Sequence, residues 1–304
     1  MHMKEKITKV TNQMYGVLSS LEIANEHLKE KLGDSTILSI YGNEFPFTYF
    51  NKSYSEYELL KVEMAQGASE STYVSLISIL EDYAYDVLRR YFALNPGAIS
   101  EETAQTSFSV LYSYVDNHGP LLGIIESLVE SKLRNKKTTD MFSLISSYCK
   151  SGVVNELSDD FRRIDEHSLI RNAIIHNDAY VTNDLIKCDV DKYKSFSQAI
   201  KVTHKDCIDL SHLIFKVVKR FEMRFLETVI GENDRKSLCK EIYVRTNNNK
   251  PGFYRKIVRN IFQLHLLAKH VNEYIKEVDE EAYDLSHEQY KGKLGWLLKK
   301  YADA

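Results

Sequence analysis

The sequence predicts an all-α protein: a helical bundle with an extra N-terminal heptad helix and a mostly helical C-terminal region. Two observations predict it. Only four prolines and twelve glycines interrupt 304 residues, whereas an all-β fold of that length needs far more turn residues. Between these breaks, apolar residues recur at steps of three and four, the period of a helix with one buried face. With 43% hydrophobic and 27% charged residues, the chain has the make-up of a globular protein with a sizeable core.

The first element is the clearest. Ile7, Val10, Met14, Val17, Leu21, Ala24 and Leu28 alternate steps of three and four, an a/d seam, and Gly33 suits its C-terminal stop. Such a seam either zips two chains together or packs on its own domain. Its short length favours the second. Residues 33–57 carry Gly33, Gly42, Pro46 and a dense run of Tyr and Phe, which predicts an irregular loop with a short hairpin. Residues 58–94 return to helical period. The run Tyr73–Leu88 is apolar on more than one side, as a central core helix is, and Asn95-Pro96-Gly97 ends it. Ser100 with Glu101 and Glu102 then caps a new helix.

Helices are expected at 103–116 and 120–133, parted by Asn117-His118-Gly119-Pro120. Arg134-Asn135-Lys136-Lys137 is a basic loop, followed by helices at 139–150, 158–176 and 195–229. Gly231-Glu232-Asn233-Asp234 is the best internal boundary. The resulting organisation is an N-terminal heptad helix and aromatic-rich loop over 1–57, a helical domain over 58–230, and a basic region over 231–304. In the last, Lys240–Arg245 suits a short strand, Asn247–Gly252 a loop, and 253–278 and 286–301 helices.

Net charge is only −3, but it is unevenly spread. Residues 235–270 hold nine Lys/Arg and one acid, and 271–290 hold seven acids and one lysine. In the basic segment Tyr243, Phe253, Tyr254 and Phe262 lie among the cations. Cations that follow phosphates and rings that stack on bases suit single-stranded RNA. Arg245, Lys250, Tyr254, Arg255, Lys256 and Arg259 are the candidates. The plainer reading is a solvated helix face paired with the acidic stretch beside it. Lys291–Trp296 reads as a packing anchor.

Several function classes find no signal. No apolar run is long enough for a membrane span, and the N-terminus lacks the apolar core of a signal peptide. Cys149, Cys188, Cys207 and Cys239 are scattered, as free thiols in a reducing cytoplasm are. His118, His167, His204, His212, His265 and His270 show no zinc-ligand spacing. There is no phosphate-binding Gly loop and no Gly-x-Ser-x-Gly. The expectation is a cytoplasmic protein with no cofactor, no metal and no membrane.

The chemistry is concentrated in Arg171-Asn172-Ala173-Ile174-Ile175-His176. Projected on a helix, Leu169, Ile170, Ala173 and Ile174 form a core-facing stripe. Asp165, Ser168, Arg171, Asn172 and His176 fall on the other side, with Phe161, Ile164 and Ile175 mixed among them. That mixed face suits contact with a second subunit. Asn172 and His176 are four residues apart and therefore neighbours, and the long Arg171 side chain reaches the same space. Asn177 and Asp178 are poor helix formers, so His176 should lie at the helix end, open to a substrate.

Arg, a polar residue and then His on a late helix of an all-α domain resembles the Arg-x4-x6-His motif of the HEPN superfamily (higher eukaryotes and prokaryotes nucleotide-binding). The match at Arg171, Asn172 and His176 shows no departure. Leu80-Glu81-Asp82-Tyr83 more loosely resembles that family's first core helix, which makes Glu81 and Asp82 candidates for support of the site. Acids on such a helix also serve as ion-pair partners. The resemblance spans roughly residues 60–230. It implies metal-independent RNA cleavage by 2′-hydroxyl attack, in a composite site built by a homodimer. His176 would be acid or base, Arg171 would hold the phosphate, and Asn172 would orient either. It further implies a toxin or anti-phage effector acting on RNA, tRNA included, restrained by an antitoxin or a sensor protein. The alternatives are a non-catalytic HEPN scaffold that binds a partner protein or nucleotide, and a helical interaction protein built around the heptad helix.

Overall fold

The computed structural model describes residues 2–32, 35–42, 50–94, 98 and 120–229. The protein is all-α. Among the described residues there is no strand, only two isolated antiparallel bridges, Thr36 with Ser53 and Tyr180 with Ala199. The helices are α1 (His2–Leu32), α2 (Ile37–Tyr41), α3 (Tyr54–Leu94), α4 (Pro120–Leu133), α5 (Thr138–Cys149), α6 (Val153–Glu156), α7 (Ser158–His176), α8 (Asn183–Cys188) and α9 (His204–Thr228). The helices expected at 103–116, 253–278 and 286–301 lie outside the described residues. So do the strand at Lys240–Arg245, the Asn95-Pro96-Gly97 stop, the Ser100 cap and the Gly33 stop.

The described residues divide into two compact units, one drawn from 3–80 with 163–214, the other from 81–162 with 215–229 and residue 2. In the first, α1 buries Ile7, Met14, Leu21 and Leu28, the a positions of the predicted seam, to 7% exposure or less. The d position Val17 remains 41% exposed. The seam therefore packs within its own chain. Opposite it, the Tyr57 hydroxyl of α3 donates to the Leu21 carbonyl at 3.3 Å, and Lys61 pairs with Glu22 at 3.1 Å. Leu28, Leu32, Ile37 and Tyr57 form a small cluster, with Tyr41, Phe50 and Tyr54 packed on it. The rest of the core includes Tyr73, Leu76, Ile77 and Leu80 of α3, Ile164, Ile170 and Ala173 of α7, and Cys207, Leu210 and Ile214 of α9.

The aromatic-rich stretch departs from the expected loop. It contains the short helix α2, and α3 begins at Tyr54 rather than at 58. The reason is a capping box: Glu56 accepts from the Ser53 backbone N–H at 2.9 Å, and Ser53 Oγ accepts from the Glu56 N–H at 3.4 Å. The predicted helix over 195–229 also needs correction. Residues 195–203 are not helical, and α9 begins at His204. Another reciprocal cap sets that boundary: Asp206 accepts from the Thr203 N–H at 2.8 Å, and Thr203 Oγ1 accepts from the Asp206 N–H at 3.3 Å. The segment before it holds the unpredicted α8, capped by Thr182.

The second unit centres on aromatic rings. Phe142 lies 5.4 Å from Phe161 and 4.9 Å from Phe221, with Tyr83 stacked at 6.2 Å. Beside them is a buried ion pair. Arg90 donates through both terminal nitrogens to the Glu222 carboxylate, at 2.8 and 3.3 Å, and the Tyr83 hydroxyl donates to the same carboxylate at 2.8 Å. Burial works against the Arg90 charge, but Glu222 overcomes it and holds the guanidinium protonated. The α5–α6 link needs two left-handed residues, Lys150 (φ 48°) and Gly152 (φ 64°). Only the second is the glycine this geometry favours.

Candidate active site

The motif helix α7 ends on His176, as its sequence predicts. Asn172 and His176 are exposed and Arg171 is half-buried. The core-facing stripe is in part as expected: Ile170 and Ala173 are buried, and Leu169 and Ile174 half-buried. The mixed face needs correction. Phe161 and Ile164 are 1% and 0% exposed, the deepest of the helix's large residues, while Ile175 is 47% exposed. Phe161 is buried because it enters the aromatic cluster of Phe142 and Phe221. The buried face thus changes along α7, and only its last turn presents polar groups and an open apolar side chain together.

The helix end is closed by its own backbone. The Ala173 carbonyl accepts from the N–H of Asn177 at 2.9 Å and of Ala179 at 3.1 Å. Tyr180 N–H donates to the Asn177 carbonyl at 2.8 Å, and Asn177 Nδ2 donates to the Tyr180 carbonyl at 3.0 Å. Asp178 and Ala179 are both left-handed, with φ of 47° and 58°, so the chain leaves the helix in a tight turn of the primed kind. These bonds are made by the Ala173 and Asn177 carbonyls and the Asn177 amide, with no part played by the His176 side chain.

About one turn before the motif, α7 is held by polar contacts that its sequence did not disclose. Tyr73 of α3 hydrogen-bonds His167 Nδ1, ring to ring at 5.6 Å. Burial pushes the His167 imidazole down to about 4, so at neutral pH the ring is uncharged. Burial also pushes the Tyr73 phenol far up, which keeps its proton. Glu166 receives hydrogen bonds from Lys192 and from the buried Tyr193, the latter at 2.7 Å. Burial opposes ionisation of Glu166, but these two donors outweigh it and hold the carboxyl below its usual range. Contacts over such sequence separations leave no trace in periodicity or local motifs.

Glu81 and Asp82 belong to the second unit, the motif to the first. Glu81 accepts a hydrogen bond from Thr138 at 3.4 Å. Arg245, Lys250, Tyr254, Arg255, Lys256 and Arg259 lie outside the described residues. Among the described residues no group of three or more His, Cys, Asp or Glu side chains is arranged to hold a metal. No described helix is long and apolar enough to cross a membrane.

Comparison with family models, with curated proteins and with solved structures finds no match to the chain. The functional reading therefore rests on the residues themselves.

Proposed function

We propose that this chain is a metal-independent endoribonuclease of the HEPN type, acting as a homodimer. The observation that carries the proposal is the constellation at the end of α7: a half-buried Arg171 with exposed Asn172 and His176 on one terminal stretch of helix. RNA carries its own nucleophile. Its 2′-oxygen attacks the adjacent phosphorus, the bond to the 5′-oxygen breaks, and a 2′,3′-cyclic phosphate and a 5′-hydroxyl result. The 2′ proton needs a base, the leaving oxygen needs an acid, and the crowded phosphorane needs cationic hydrogen-bond donors. One His176 takes the first proton and the His176 of a second copy gives the other. Arg171 holds the phosphate oxygens, and Asn172 orients the imidazole or the substrate. In this reading the biological setting is a toxin or anti-phage effector, held in check by an antitoxin or a sensor protein.

The test is incubation of the wild type, His176→Ala and Arg171→Ala with total RNA and with tRNA in EDTA, followed by analysis of the RNA ends. Cleavage by the wild type alone, leaving cyclic phosphates, supports the reading. Equal cleavage by all three places the activity outside the motif. No cleavage by any favours the alternative, a non-catalytic scaffold.

A further inference from the structure

The turn that closes α7 delivers an exposed ring next to the motif. Tyr180 stands four residues after His176 and is 45% exposed. It bridges to Ala199, with Val181 N–H donating to the Gln198 carbonyl at 3.0 Å and Ile200 N–H to the Ala179 carbonyl at 2.7 Å. Side chains alternate across such a pairing. Val181 and Val202 point inward, at 0% and 3% exposure, so Tyr180, Ala199 and Lys201 share the outer side. Phe196 sits at the corner of the turn Ser195–Gln198 that leads into the bridge and is 62% exposed.

The same stretch is basic. Residues 192–205 hold four lysines and no acid. Lys192 is tied to Glu166. Lys194, Lys201 and Lys205 are exposed, and no carboxylate pairs with them among the described residues. Of the nearby acids, Asp189 is engaged by the backbone N–H groups of Asp191 and Lys192, and Asp184 by Lys187. Asp178 and Asp191 are exposed acids that oppose an anion here, and so is Asp206, whose carboxylate caps α9 through Thr203.

We propose that Tyr180 and Phe196, with Lys194 and Lys201, form a platform for single-stranded RNA, on which bases beside the scissile phosphate stack. The identity of the ligand rests on the ribonuclease reading of the neighbouring motif. Two exposed rings among lysines that no described carboxylate pairs with match a strand whose bases are unstacked and whose phosphates are bare. A duplex hides its base faces and offers such rings nothing. The platform is fixed rather than mobile, because the bridge and the buried Val181, Tyr193 and Val202 hold it to the core.

The probe is a fluorescent single-stranded 12-mer RNA, 2′-O-methylated throughout so that it lacks the nucleophile. Its binding is followed by anisotropy, beside cleavage of the unmodified RNA. Stacking is worth about 1–3 kcal/mol per base, so Tyr180→Ala and Phe196→Ala are each expected to weaken binding roughly 5- to 150-fold. Tyr180→Trp keeps a ring and should retain binding. Lys194→Ala with Lys201→Ala should lower the slope of log affinity against log salt by about 1.4, at about 0.7 per phosphate contact. All four positions are exposed, and unchanged thermal unfolding checks that the variants fold. Unchanged binding in the alanine variants overturns the platform, as does equal affinity for duplex RNA or no binding by the wild type. If the wild type binds the probe through these residues yet cleaves no RNA, the platform stands and the ribonuclease reading falls. If it cleaves RNA while the variants match it in binding and KM, the reverse holds.

Discussion

Lowering the pH from 7 to 5 should destabilise this protein through one imidazole, His167. The ring is half-buried, hydrogen-bonds the Tyr73 hydroxyl through Nδ1, and is pushed by desolvation down to about 4 from 6.5. A base whose folded pKa is depressed binds its proton more readily in the unfolded chain. Stability therefore falls as pH drops below the unfolded value, and keeps falling until the folded value is reached. At pH 5 the unfolded ring is about 1.5 pH units below its midpoint and the folded ring is still neutral. At about 1.36 kcal/mol per unit, the loss between pH 7 and 5 is about 2 kcal/mol. Glu166, whose folded pKa is lowered, contributes stability above its unfolded value of 4.5 and loses it below that, outside most of this window. The assay is urea unfolding at half-unit steps of pH, for the wild type and for His167→Asn, which keeps a hydrogen-bonding group for Tyr73 and has no titration here. The wild type should lose about 2 kcal/mol more than the variant between pH 7 and 5. Parallel curves would refute the burial argument and, with it, the neutral state of His167.

Two further predictions concern the scaffold. Glu222→Leu leaves the Arg90 guanidinium without the carboxylate that holds it and strips the Tyr83 hydroxyl of its acceptor. A loss of about 3–5 kcal/mol in urea unfolding is expected, with Arg90→Met in the same chain restoring most of it. A single variant within about 1 kcal/mol of the wild type contradicts the pair's burial. At the end of α7, Ala179 has φ of 58° without a side chain that can help it. Ala179→Gly should be neutral or stabilising, whereas Ala179→Val should cost about 1–2 kcal/mol and loosen the turn that follows His176. Thermal unfolding of the two variants separates them, and equal effects would remove the left-handed turn from the explanation.

Much of the helical framework was legible in the sequence because it is written in local signals. The heptad steps of Ile7, Met14, Leu21 and Leu28 gave α1, and the pairing of poor helix formers Asn177 and Asp178 with a preceding helical run gave the end of α7 at His176. Boundaries set by caps were missed where the cap lay inside polar or aromatic sequence. Ser53-Tyr54-Ser55-Glu56 and Thr203-His204-Lys205-Asp206 both carry the signature of a reciprocal cap, and reading them would have placed the starts of α3 and α9. The direction of burial on α7 was less accessible. A single wheel assigns one inner face, but on the N-terminal turns Phe161 is buried against the Phe142 and Phe221 rings, whereas on the later turns the buried residues are Ile170 and Ala173. The contacts of His167 and Glu166, and the pairing of Tyr180 with Ala199, depend on tertiary placement that no spacing encodes.

Under the proposed ribonuclease function, the two histidines of α7 divide into a supporting imidazole and one available for chemistry. His167 lies where the helix is enclosed, is fixed by Tyr73, and is held neutral by burial. His176, nine residues later, stands on the final turn, exposed, with the backbone beyond it closed by Asn177 and Ala179. A catalytic group needs a rigid support and an open tip, and the support must not depend on the group itself. Here the support comes from Ile164, Ile170 and Ala173 below and from the Glu166 and His167 contacts beside them, none of which uses Arg171, Asn172 or His176. Substituting His176 should therefore change chemistry and leave folding alone, while substituting His167 should do the opposite. That asymmetry is the outcome the proposed function requires, and loss of folding in the His176 variant would count against it.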